Sequence, residues 1–161
     1  MNDLVVRKDM ALVGTGSRDF VTIQLAGQLL GIPVLSVHDV LNPQKITRIP
    51  LAPSWVSGVL NLRGRIVTAI NLRNRLGLPP LEEGKKSMSI VVEHHGESYS
   101  LQIDSVGEVL SLEDQYFERA PVTLDPVWRE VSRGIYRLDG ELLAILDVDK
   151  LLSLDGQSAA A

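Results

Sequence analysis

The chain contains no cysteine, which removes disulfides, thiol nucleophiles and thiolate metal sites together and suits a reducing compartment. Aromatic residues make up only 4% of it, so Val, Ile and Leu must fill any core. No stretch approaches the roughly 18 apolar residues of a membrane-spanning helix, and the N-terminus lacks the apolar run of a signal peptide. Both point to a cytoplasmic protein without membrane insertion. A basic surplus is missing too: 16 basic residues against 20 acidic ones leave a net charge of -4. Nucleic acid would need a basic face interleaved with aromatics, so the composition argues against that partner. Histidines number only 3, and no metal site is expected: His94 and His95 are neighbours in an expected strand, facing opposite ways, and His38 has no ligand-spaced partner.

What the chain has instead is an internal repeat. The stretch SGVLNLRGRIVTAINLRNRLGL from Ser57 reads as strand, tight turn at Arg63-Gly64, strand, then a short helix opened by Asn71 and stopped by Gly77 and Pro79. It returns as RGIYRLDGELLAILDVDKLLSL from Arg133, with Gly58 answering to Gly134, Gly64 to Gly140, Ile70 to Leu146 and Asn71 to Asp147. Upstream, FVTIQLAGQLLGIPVLSVHDVL from Phe20 matches SIVVEHHGESYSLQIDSVGEVL from Ser89, pairing Val37 with Val106 and Asp39 with Glu108. The two tryptophans, each in Pro-x-Trp at Trp55 and Trp128, are paired as well. A repeat of this kind implies a duplicated all-β module.

A length of 161 residues with 45% hydrophobic content suits two small fused barrels of about 70 residues each. The polar, proline-bearing stretch after Pro79 divides them, giving subdomains at about 18–80 and 85–154 within one domain at 18–154. Residues 1–17 read as a flexible tail and 155–161 as a frayed end. Catalysis finds no support. Asp147 is accounted for as a helix cap, Asp149 as first-turn charge, and Gly14-Thr15-Gly16-Ser17 lacks the strand and lysine of a phosphate loop.

Five segments in order, GIPVLSVHDV at Gly31, TRIP at Thr47, GVLNLRG at Gly58, IVTAINLR at Ile66 and QIDSVGEVLSL at Gln102, resemble the CheW family of bacterial chemotaxis coupling proteins. The resemblance runs from about Asp19 to Leu154. It implies two packed SH3-like five-stranded β-barrels with short helices after each hairpin, and an adaptor without enzymatic chemistry or cofactor. The implied partners are the cytoplasmic tips of methyl-accepting chemoreceptors and the regulatory domain of the histidine kinase CheA, joined in membrane-associated arrays. The same resemblance admits a scaffold of a non-flagellar pathway serving pili, gliding or development. A small-barrel nucleic-acid module is the remoter alternative.

By resemblance, Val37, Asp39, Arg63, Gly64 and Val106 fall at receptor- or kinase-contact positions. The residues themselves leave alternatives open. Arg63 occupies a turn whose counterpart is Asp139-Gly140, a pairing that suits type I′ geometry; arginine there is a poor local choice that either serves a contact or marks another turn type with a solvated side chain. Val37 and Val106 are either core valines or the lining of a groove for a receptor helix. Asp39 and Glu108 are either contacts or a solvated strand face.

Overall fold

The structure is a computed structural model that describes residues 16–152. Ten strands and three short α-helices follow in order: β1 (Ser17–Leu25), β2 (Gln28–Pro33), β3 (Val37–Leu41), β4 (Val56–Leu62), β5 (Arg65–Asn71), α1 (Leu72–Arg75), β6 (Met88–His94), β7 (Glu97–Ile103), β8 (Ser105–Glu113), α2 (Pro126–Glu130), β9 (Ser132–Leu138), β10 (Glu141–Leu146) and α3 (Val148–Leu152). The tail expected at 1–17 lies outside the described residues apart from Gly16 and Ser17, where the Gly16 carbonyl accepts the Asp114 amide at 2.8 Å and β1 begins. The end expected at 155–161 lies outside them altogether.

The strands form two five-stranded sheets, ordered β8-β1-β2-β10-β9 and β3-β6-β7-β5-β4. Substituting each strand by its repeat equivalent, β1 for β6 through β5 for β10, turns one order into the other. The duplication is therefore real, and it is interlocked. Each sheet combines the first two strands of one copy of the repeat with the last three strands of the other. The boundary near residue 80 divides the repeat in sequence only; among the described residues the compact units are 16–22 with 28–34 and 108–152, and 23–27 with 35–107.

The halves meet twice in each sheet: at β8 with β1 and β3 with β6, and at a parallel pair, β10 with β2 and β5 with β7. Its register is repeated too: Ala144 faces Leu30 as Thr68 faces Tyr99, and Ile145 faces Gly31 as Ala69 faces Ser100. The cores follow. One cluster holds Phe20, Leu112, Tyr136, Leu143 and Ile145, and the other holds Leu41, Leu60, Val67, Ala69 and Val91. Three members correspond, Leu60 to Tyr136, Val67 to Leu143 and Ala69 to Ile145, and Leu110, the counterpart of Leu41, packs half-buried against its cluster. Each large apolar side chain buried in this way contributes roughly 1.5–3 kcal/mol. Thr22 is buried among them because its hydroxyl donates to the Glu108 carbonyl at 2.7 Å, which satisfies the polar atom.

Closed barrels are not what forms. The end strands of each sheet do not pair with one another, so the sheets are open, and the expectation of two closed SH3-like barrels is corrected to two five-stranded sheets. Single bridges shield one edge of each: Thr47 pairs with Val59 on β4, and Glu118 with Ile135 on β9. Here two glycines become obligatory. A Cβ on Gly58 would fall against the Thr47 carbonyl oxygen, and one on Gly134 would lie 2.5 Å from that of Glu118.

Helix caps match the sequence reading. Asn71 Oδ1 accepts the Asn74 amide and Asp147 Oδ1 the Lys150 amide, each at 3.1 Å. The pairing of the tryptophans does not match. The Asn71 amide donates to the Trp55 carbonyl and the Asp147 amide to the Val131 carbonyl, both at 2.8 Å, so the counterpart of Trp55 is Val131. Trp128 is buried in α2, a helix that Asp125 caps and Pro126 opens, inserted in the second copy alone.

Two predictions test this architecture. Gly58→Ala and Gly134→Ala should each lower unfolding stability by about 2–3 kcal/mol, read from urea denaturation, whereas Gly64→Ala should cost less because nothing lies within 4 Å of its Cβ position. A fragment ending at Glu83 should show no cooperative unfolding by circular dichroism, and mixing it with the complementary fragment should restore the transition.

Candidate interaction surface

Sheet edges and turns position the residues singled out by resemblance. β3 is one edge of its sheet and the β4–β5 hairpin forms the other. Val37 faces Val92, but Asp39 faces Val91, so the register slips and His38 is bulged out, its Nε2 lying 3.0 Å from Glu93 Oε1. A bulge at an edge re-aims the residue after it. Asp39 thereby meets the hairpin turn of the opposite edge, with its Oδ2 2.6 Å from Arg63 Nη1. The Val40 amide donates to its other oxygen at 2.8 Å. An ion pair thus links two edges that no backbone ladder joins.

The Arg63 hydrogen bond, reinforced by the Val40 amide, holds the Asp39 carboxyl below its ordinary value of 3.8. Arg63 has φ 53 and Gly64 φ 85, the two left-handed residues of a type I′ turn, which Asn61 Oδ1 closes by accepting the Gly64 amide at 2.9 Å. Ala26 and His95 hold the same position in their own turns with φ 51, so this conformation is common to the hairpins. What distinguishes Arg63 is its carboxylate partner. Asp139, for which type I′ was expected, has no positive φ, and only Gly140 does; a turn left-handed solely at its second residue suits Asp-Gly equally.

The structure therefore unites Asp39, Arg63 and Gly64. Val37 sits two residues before Asp39, half-buried on the same strand. Val106 is half-buried on β8, in the other sheet. His94 and His95 depart from the reading that set them on opposite faces: His95 belongs to the turn, and the two rings lie 4.0 Å apart.

Sequence reasoning missed two features. Ile66, read as a strand residue like any other, is 65% exposed beside the Arg63 turn, and exposed Arg65 adjoins it. Alternation along β5 could have shown this, since Ile66 faces outward between buried Val67 and the turn. Arg73, read as decoration on α1, is mostly buried, with Nη2 2.7 Å from Asp104 Oδ2 and Nη1 2.9 Å from the Pro79 carbonyl. Asp104 Oδ2 also accepts the Ala26 amide at 2.9 Å. No local signal announced that knot.

Removing the guanidinium should release Asp39. In Arg63→Ala, NMR titration should show the Asp39 carboxyl moving up toward 3.8. The sign follows from linkage: a depressed folded value stabilises the fold above the ordinary carboxylate range, and the contribution disappears as pH falls through the folded value. The acid-side loss of stability should accordingly be shallower in the variant.

Comparison with known proteins gives these edges a context. Residues 19–156 match the CheW-like domain. The chain is 29% identical to "Chemotaxis protein CheW" of Helicobacter pylori, covering 96% of this chain and 97% of that one. It is 30% identical to the protein of the same name from Klebsiella aerogenes, over 86% of this chain and 84% of the other. Among solved structures, the scaffolding protein TtCheW of Thermoanaerobacter tengcongensis superposes with a TM-score of 0.76 at 31% identity, covering 86% of this chain and 94% of that one. With the match spanning nearly every strand of both sheets, the chain belongs to the family of CheW-like domains.

Proposed function

We propose that this chain is a chemotaxis scaffold that couples methyl-accepting receptors to the regulatory domain of the histidine kinase CheA, with the β4–β5 hairpin and the β3 edge as one contact surface. Proteins of this family act as scaffolds and adaptors rather than enzymes, and the relatives named above carry chemotaxis and scaffolding in their names. Among the described residues no helix is long and apolar enough to cross a membrane, so presence at receptor arrays would come through protein contacts.

The observation that carries the surface is the exposure of Arg63. Its side chain remains 72% exposed while paired, and Ile66 beside it is open to solvent. An oriented guanidinium next to an exposed apolar side chain suits an acidic, partly apolar protein surface. Val37, Asp39, Gly64 and Val106 complete the proposed contact set. Binding two partners at once raises their effective concentration without chemistry, and kinase control follows if the scaffold binds its states unequally.

Arg63→Glu should reduce co-sedimentation with receptor membranes and receptor-dependent kinase activity about tenfold or more, with the urea midpoint nearly unchanged. The exchange Asp39→Arg with Arg63→Asp separates two roles. It preserves an ion pair between the edges, so recovered activity would make the pair a mere clasp, whereas persistent loss is the outcome a direct contact requires.

A further inference from the structure

We propose that a cavity in the compact unit containing β9 and β10 is a binding site for a small aromatic carboxylate. The cavity measures about 240 Å³. Its apolar wall is formed by Phe20, Phe117 and Tyr136, and Arg18, Arg133 and Asp114 stand at its polar side. The Tyr136 ring lies 5.7 Å from Phe20 at 56° and 5.3 Å from Phe117 at 54°, tilted geometries that a further flat ring can join.

The repeat supplies an internal control. Counterparts of Arg18, Phe20, Phe117, Arg133 and Tyr136 in the other copy are Ser87, Ser89, Ile46, Ser57 and Leu60. The same strand order is built there without one ring or cation at these positions, so the fold does not require them. In a chain with only 2 phenylalanines, both meet here. Core filling does not account for Phe117, a residue that is 41% exposed.

Charge selects the ligand's sign. Asp114 is engaged by Arg18, with Nε to Oδ1 at 3.5 Å. Arg133 is exposed and has no side-chain hydrogen bond or ion pair among the described residues. Two guanidinium groups against one carboxylate leave the cavity cationic. Burial, and secondarily the Asp114 charge, push the Tyr136 hydroxyl up to about 12, so it stays a hydrogen-bond donor throughout the physiological range. Arg133 and Tyr136 are thus available to a carboxylate, and the tilted rings to its aromatic body. The volume lies somewhat below the roughly 300–1,000 Å³ of sites for drug-sized molecules, which fits a single ring.

Benzoate, with benzamide as its uncharged counterpart, tests this on the full-length chain by NMR. Benzoate should shift the ring signals of Phe20, Phe117 and Tyr136 saturably, and benzamide should not. Arg133→Ala should weaken benzoate binding about tenfold while leaving the circular dichroism spectrum unchanged, and Tyr136→Phe should weaken it less. Absence of saturable shifts, equal response to benzamide, or undiminished binding to Arg133→Ala would each overturn the proposal. Inorganic phosphate displacing benzoate at equal concentration would also overturn it, because the rings would then contribute nothing.

Discussion

Everything in this fold rests on the strand pairs that connect the halves of the repeat inside each sheet, β1 with β8 and β3 with β6 and, above all, the parallel pairs β2 with β10 and β5 with β7. Hairpins can form locally, but a parallel pair needs a crossover and joins residues distant in sequence. Leu30 and Ala144 stand side by side across most of the chain, so loop closure must precede the reward of burial. Neither half possesses a complete sheet. The duplication consequently yields two compact units, each assembled from both halves of the sequence, and what recurs between copies is register, core positions and the glycines at 58 and 134 where an edge segment comes close.

Once scaffold and symmetry are separated, the differences between copies carry the specificity. Asp39 and Arg63 make an ion pair between the edges of one sheet. Their counterparts Glu108 and Asp139 are both acidic and cannot do so. In the opposite direction, two cations and three rings drawn from both copies gather around a cavity in one compact unit, where the equivalent positions of the other unit hold serines and aliphatic residues. Neither asymmetry is demanded by strand order. Each places a cationic group where a partner can reach it, in a chain whose net charge is -4.

What the sequence made legible was local or repeated. Period-two apolar runs, glycine turns and the caps at Asn71 and Asp147 depend on neighbours within a few residues, and the structure holds them where the reading put them. Long-range pairing was not legible. Alternation is the same whether β5 pairs within its own half or with β7, so nothing in the pattern told sequential barrels from interlocked open sheets. Likewise, Trp55 and Trp128 share a motif while their backbones occupy different places, because an insertion before β9 shifts the copies without leaving a mark in composition. Resemblance brought Asp39 and Arg63 forward as separate contacts. That they face each other across 24 residues depends on a bulge at His38, and bulges have no reliable sequence signature.

The pairing of Arg63 within the chain bears on what the residue can do for a partner. Binding normally costs about 0.5–1.5 kcal/mol for each long side chain that becomes immobilised. Asp39 takes one terminal nitrogen at 2.6 Å and orients the guanidinium, yet leaves the side chain 72% exposed, so part of that ordering precedes any encounter. A guanidinium carries five N–H donors, and one carboxylate oxygen does not exhaust them. The turn beneath it is fixed by the Asn61 side chain. Held from both sides, Arg63 resembles a preorganised donor more than a charge already spent. The same reasoning explains why an exposed ion pair of small worth to stability can matter to recognition: its geometry is useful even where its energy is not.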